Sequence, residues 1–164
     1  MFSVSVTRKT RNLEKLVEKL EALHKQSVET GVFIEQGDHP DAGISFVDLA
    51  RMHEQGDGDF PPRTVRPLVR HTLKEKHFQD KIFSHLSTYI FKDNSLNYAL
   101  GYIGQDMVKL GKSFFGNVSN PWMSNNAPET IELKGGRNTP LVDEGYLRDA
   151  WAYKTSISDF IVES

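Results

Sequence analysis

The sequence predicts an α+β domain in which two long antiparallel helices and an N-terminal helix pack on a small, mostly antiparallel sheet. Three observations lead there. Apolar residues recur at helical spacing from Pro67 to Lys92 and again from Leu96 to Phe114, and the short link between the two stretches makes them antiparallel neighbours. A shorter stretch from Asn12 to Lys25 has the same period. Val28 to Glu35 and the tail from Trp151 to Val162 alternate with the period of two that marks a strand. With 164 residues the chain has the length of one ordinary domain with its own core, and residues 1–164 are read as one.

Taken in order, Met1 to Thr10 alternates weakly through Phe2, Val4 and Val6 and reads as a short strand. Leu13, Leu16, Val17, Leu20 and Leu23 then fall on one helical face between Glu and Lys residues. The strand at Val28–Glu35 closes into a turn-rich connection containing Gly37, Asp38, Pro40, Asp41 and Gly43. Ser45 with Asp48 resembles a capping box, so a helix begins there, and Gly56 suits its C-terminal cap. Residues 56–67 carry adjacent prolines and a third proline, which rules out regular structure and leaves an ordered, exposed binding loop. Pro67 fits the first turn of one helix running to about Lys92, with Val69, Leu73, Phe78, Ile82, Phe83, Leu86 and Ile90 as its apolar stripe. Asp93 and Asn94 break it, and Ser95 caps the next helix, whose stripe runs from Leu96 to Phe114. Residues 117–140 are rich in Asn, Ser, Pro and Gly, and read as an extended functional loop or an arm ordered against a neighbour. Trp122 lies in that stretch, and so large an aromatic belongs in a local cluster or on a partner's surface.

Composition narrows the function. A formal net charge of -2 with 26% charged residues is that of an ordinary soluble protein, not a polycation that coats nucleic acid. The absence of Cys excludes a thiol nucleophile, a disulfide framework and any thiolate-ligated metal site, and suits a protein made in a reducing cytoplasm. Neither a signal peptide nor a membrane span is recognisable.

The motifs of catalysis are missing. Among six histidines, His39 and His53 lie near Asp41 and Glu54, which raises a metal-dependent hydrolase as the alternative reading; but His53-Glu54 is followed by Gln55 and Gly56, without the second His one turn on that a zinc-protease helix needs. His71, His77 and His85 have no regular helical spacing. There is no Gly-x-Ser-x-Gly elbow, and Lys134-Gly135-Gly136-Arg137 lacks the phosphate-loop pattern. The carboxylate pairs Asp57/Asp59 and Asp143/Glu144 sit among turn residues, where such groups are solvated. The chain is therefore read as a non-enzyme without cofactor or metal. Charge is distributed unevenly, with seven acids against Arg51 between Glu35 and Asp59, then six bases against Glu75 and Asp80 from Arg63 to Lys81. Such segments suit a ring contact in which unlike patches of successive subunits meet. They equally suit neutralisation inside one fold, or a basic helix face on DNA phosphates.

In order along the chain stand Gly31-Val32-Phe33-Ile34, His53-Glu54-Gln55-Gly56, Phe60-Pro61-Pro62-Arg63 with Arg66-Pro67, two long helices, Ala127-Pro128-Glu129-Thr130-Ile131 with Lys134-Gly135, and Pro140-Leu141-Val142-Asp143-Glu144-Gly145-Tyr146-Leu147. This order resembles the tail-completion and neck proteins of long-tailed bacteriophages, a group that includes the Mu-type virion morphogenesis and related head–tail joining proteins. Thr64-Val65 stands where that family usually has Pro-Phe, and Glu144 where it has Thr. The resemblance implies a structural virion protein of the neck, made in the host cytoplasm, which completes tail or connector so that head and tail join. A tail terminator or head-closure protein is the alternative within that class. Its implied partners are copies of itself in a ring, most readily a hexamer, and the connector, head-closure, tail-terminator or tail-tube proteins. Genome DNA passes through such a ring without sequence-specific binding, and no membrane is involved. The contact residues assigned on this reading are Pro61, Pro62, Arg63, Arg66 and Trp122.

Overall fold

The computed structural model describes residues 7–56, 61–119 and 123–158, with side chains from Asn12 onward. The first helix, α1, spans Thr7–His24, so the strand expected over the first ten residues gives way to helix from Thr7; its earlier part lies outside the described residues. A short strand β1, Val28–Gly31, follows. It is half the length expected, because the chain turns at Phe33 into a single 3-10 turn, Ile34–Gln36. Gln36 holds that turn from both sides, its Oε1 accepting from the Phe33 N–H at 2.8 Å and its Nε2 donating to the Ala150 carbonyl.

Helix α2 spans Phe46–Gln55 and is capped as its sequence requires: the Ser45 hydroxyl accepts from the Asp48 N–H, and Gly56 closes the far end at a positive φ of 75°. In place of one helix from Pro67 to Lys92 there are two, α3 at Arg66–Thr72 and α4 at Lys76–Lys92. Between them the Lys74 and Glu75 N–H groups bond back to the His71 and Thr72 carbonyls, and Glu75 takes an extended conformation as the N-cap of α4. The break has a packing reason. Val65 and Val69 enter the cluster around Trp151, whereas Phe78 enters a second cluster with Ile103 and Met107. One straight helix would aim both sets along a single stripe.

Helix α5, Leu96–Phe114, starts where Ser95 accepts from the Tyr98 N–H. Phe78 meets Met107 while His85 stacks on Tyr102, so α4 and α5 run antiparallel. After α5 come two short helices, α6 at Pro128–Leu133 and α7 at Tyr146–Asp149, and then β2, Ala152–Thr155. The two strands form one antiparallel ladder in which Val28 faces Thr155 and Gly31 faces Ala152. The fold is thus α+β, with a small antiparallel sheet formed from segments near the two ends of the chain.

Helix α5 is the spine. Its buried face (Ala99, Leu100, Ile103, Gly104, Met107, Val108, Gly111) lies across both strands. Trp151 and Tyr153 fill the interface, and the Trp151 indole donates to the Thr30 hydroxyl at 3.0 Å, which donates to the Ala152 carbonyl at 2.9 Å. Helix α1 sits against α4, tied by Lys19 to Asp93 at 2.6 Å. Among the described residues no helix is long and apolar enough to cross a membrane.

Candidate functional site

The chain leaves α2 at Gly56 and is next described at Pro61 and Pro62, both exposed. Arg63 anchors the stretch after them: its N–H donates to the His53 carbonyl at 2.7 Å, and it forms an isolated antiparallel bridge with Met123. Its guanidinium reaches across to the Ser124 and Asn125 carbonyls at 3.4 and 3.3 Å. Two residues on, Val65 and Arg66 each donate an N–H to Glu54 Oε1, at 2.8 and 2.7 Å. The first N–H groups of a helix have no partner within it, and here a carboxylate from the end of α2 supplies one where α3 begins. That role was not legible, because nothing in the linear sequence links Glu54 to a helix start twelve residues later.

The segment expected as an extended loop or arm is folded onto its own domain in its described part, 123–140. Met123, Asn126 and Pro140 are buried, α6 lies within it, and the Lys134 ammonium donates to the Thr139 and Val142 carbonyls at 3.3 and 2.7 Å. Between this segment, the end of α2 and the turn entering α7 lies a cleft of about 490 Å³. Its lining includes His39, His53, Arg63, Asn126, Thr130 and Lys134 inside, with Asp41, Asp143 and Glu144 exposed at the mouth. Gly145, at a φ of 96°, makes the turn that sets Tyr146 over His39, ring edge to face with centroids 5.2 Å apart.

The interior of the cleft is cationic. Burial, then the nearby charges of Arg63 and Lys134, holds His53 down from 6.5 to about 4, so it is neutral at pH 7. Burial also lowers Arg63 and Lys134. Asp143 pulls Lys134 back upward, and Arg63 and Arg137 push it down again.

Of the assigned contact residues, the structure places Pro61, Pro62 and Arg66 on the surface and half-buries Arg63; Trp122 lies outside the described residues. Of the residues weighed as metal ligands, His39, Asp41 and His53 line the same cleft, and Glu54 lies outside it. Glu54 caps α3, and His39 Nδ1 accepts from the Asp41 and Ala42 N–H groups at 3.1 and 3.2 Å. Among the described residues no group of three or more His, Asp and Glu is placed to hold a metal ion. Nor do the acidic and basic segments pair with each other through side chains among the described ion pairs. Glu35 binds Lys154 and Asp48 binds Arg51, while Glu75 meets His71 and His77, and Lys81 binds Asp106. Arg66, Arg70, Lys74 and Lys76 are exposed.

The surface also carries apolar residues in patterns. Leu13, Val17 and Leu20 stand exposed along α1, and Phe83 and Phe91 along α4, at 63% and 70% exposure. Tyr98 and Tyr102, hydroxyls 2.8 Å apart, extend this patterning onto α5. Comparison with family models, with curated proteins and with solved structures finds no significant match to this chain.

Proposed function

We propose that the chain is a structural protein of a bacteriophage neck, acting by assembly at the junction of head and tail. The observation that carries this reading is a convergence. Four segments on which the family resemblance rests, spread from His53 to Leu147, meet around one cleft through His53, Arg63, Thr130, Lys134, Leu141 and residues 143–147. Scattered motifs that fold into one body are what a shared architecture requires, whereas chance matches have no reason to touch. A second line of support comes from the surface. Exposed apolar stripes on α1 and α4, together with exposed basic residues on α3, are the materials of interfaces between subunits. On this reading the protein forms a ring, with the exposed Pro61-Pro62 corner and Arg66 among the contacts, stacked between connector and tail.

The test is in vitro joining. Lysate from a phage lacking this gene contains unattached heads and tails, and adding the purified protein produces infectious particles. Normal particles formed without the protein would contradict the proposal.

A further inference from the structure

We propose that the cleft between α2, α6 and the 141–147 turn is a carboxylate-binding site, in which Arg63, Lys134 and the side-chain amide of Asn126 receive a single carboxylate. Asn126 is 6% exposed and lines the cleft, and its Nδ2 has no hydrogen-bond acceptor among the described residues. A buried amide donor without an acceptor is costly and uncommon, and a ligand oxygen in the cleft is the acceptor that it lacks. The two cations beside it are half-buried and bonded only to neutral carbonyls: Arg63 to Ser124 and Asn125, Lys134 to Thr139 and Val142. Neither forms an ion pair with a carboxylate among the described residues. Two half-buried cations and an unsatisfied amide thus line one cleft whose own carboxylates, Asp41, Asp143 and Glu144, are exposed and form no ion pair with either cation among the described residues.

The charge of the mouth selects the ligand. Asp41, Asp143 and Glu144 are exposed there, so solvent screens them more than the interior cations. They still repel each further negative charge, which disfavours a divalent phosphate and favours a monoanion. A planar carboxylate has two oxygens to share between the amide and the guanidinium N–H groups that Arg63 does not give to Ser124 and Asn125. The volume of about 490 Å³ accepts an acidic side chain or a small free acid.

This inference does not depend on the assembly reading, and its test leaves that reading untouched. The full chain is titrated with acetyl-Ala-Glu-Ala-amide, its Gln counterpart, acetate and inorganic phosphate, following the Asn126 NH₂ and Arg63 Nε–H signals by NMR. The Glu peptide should shift both saturably and the Gln peptide neither. A Glu peptide that saturates well below acetate identifies a carboxylate carried on a polypeptide; acetate that binds as well identifies a small free acid. Asn126→Asp, which places a carboxylate of its own at the site, should weaken binding at least tenfold while leaving the melting temperature unchanged or higher. Should that variant not fold, the wild-type titration decides alone. Equal shifts with the Gln peptide, saturation by phosphate at lower concentration than any carboxylate, no shift at about 50 mM, or undiminished binding by a folded Asn126→Asp chain would each overturn the assignment.

Discussion

At the scale of single residues, two glycines set how closely the spine approaches the sheet. A Cβ at Gly104 would fall inside the Tyr153 ring, and one at Gly111 inside the Trp151 indole. Gly101 stands on the same helix, but a Cβ there meets only the Tyr153 hydroxyl, at 3.7 Å. Gly104→Ala and Gly111→Ala should therefore each destabilise the fold by about 3 kcal/mol through overpacking. Gly101→Ala should stabilise it by about 0.5–1 kcal/mol through helix propensity. Urea unfolding of the three variants measures this, and a uniform effect of either sign would contradict the geometry. His53 gives the second residue-scale prediction. Its folded value of about 4 lies below the ordinary 6.5, so the unfolded chain takes the proton more readily. The contribution of His53 is complete above pH 6.5 and falls as the pH drops from there to about 4. With allowance for partial solvent access, the loss is about 2 kcal/mol. His53→Gln should flatten the stability profile between those limits, as read by denaturant unfolding at each pH.

Among elements, the antiparallel pair of α4 and α5 is clamped by Asp106, which is 12% exposed and accepts from Lys81 and His85, each at 2.7 Å. Burial alone would raise Asp106, but these hydrogen bonds and charges overcome it and hold the carboxyl below its ordinary value. A lowered carboxylate stabilises above its unfolded value and stops doing so as the pH falls through its folded one. Asp106→Asn should cost about 1 kcal/mol at neutral pH, and its stability should converge on that of the wild type in acid. The elements were largely legible where local chemistry punctuates them. Ser45, Gly56, Asp93 and Ser95 all stand at helix ends. The break between α3 and α4 was not, because Leu73-Lys74-Glu75 contains no breaker and the bend comes from two clusters pulling Val69 and Phe78 apart. Residues 34–36 carry alternation and yet form a turn, because Gln36 binds the Ala150 carbonyl far along the chain, a long-range bond that no local pattern encodes. Of the candidate site, the sequence marked Arg63 and the motif segments, Thr130 and Lys134 among them, but passed over Asn126, a polar residue without a motif whose meaning depends on folding.

For the whole molecule, stability and association are assigned to different surfaces. Helix α5 and β2 hold the core, whereas Leu13 on α1 is 61% exposed. Leu13→Glu should thus change folding stability by less than about 1 kcal/mol while weakening assembly, which thermal unfolding and a joining assay separate. On the proposed reading, this chain works by forming part of a larger particle. The most direct measurement is its mass in solution by light scattering, alone and then mixed with tail tubes, with negative-stain microscopy of the mixture. A ring, or a monomer that becomes a ring capping one end of the tube, is the predicted result; a monomer that ignores the tubes would contradict the account.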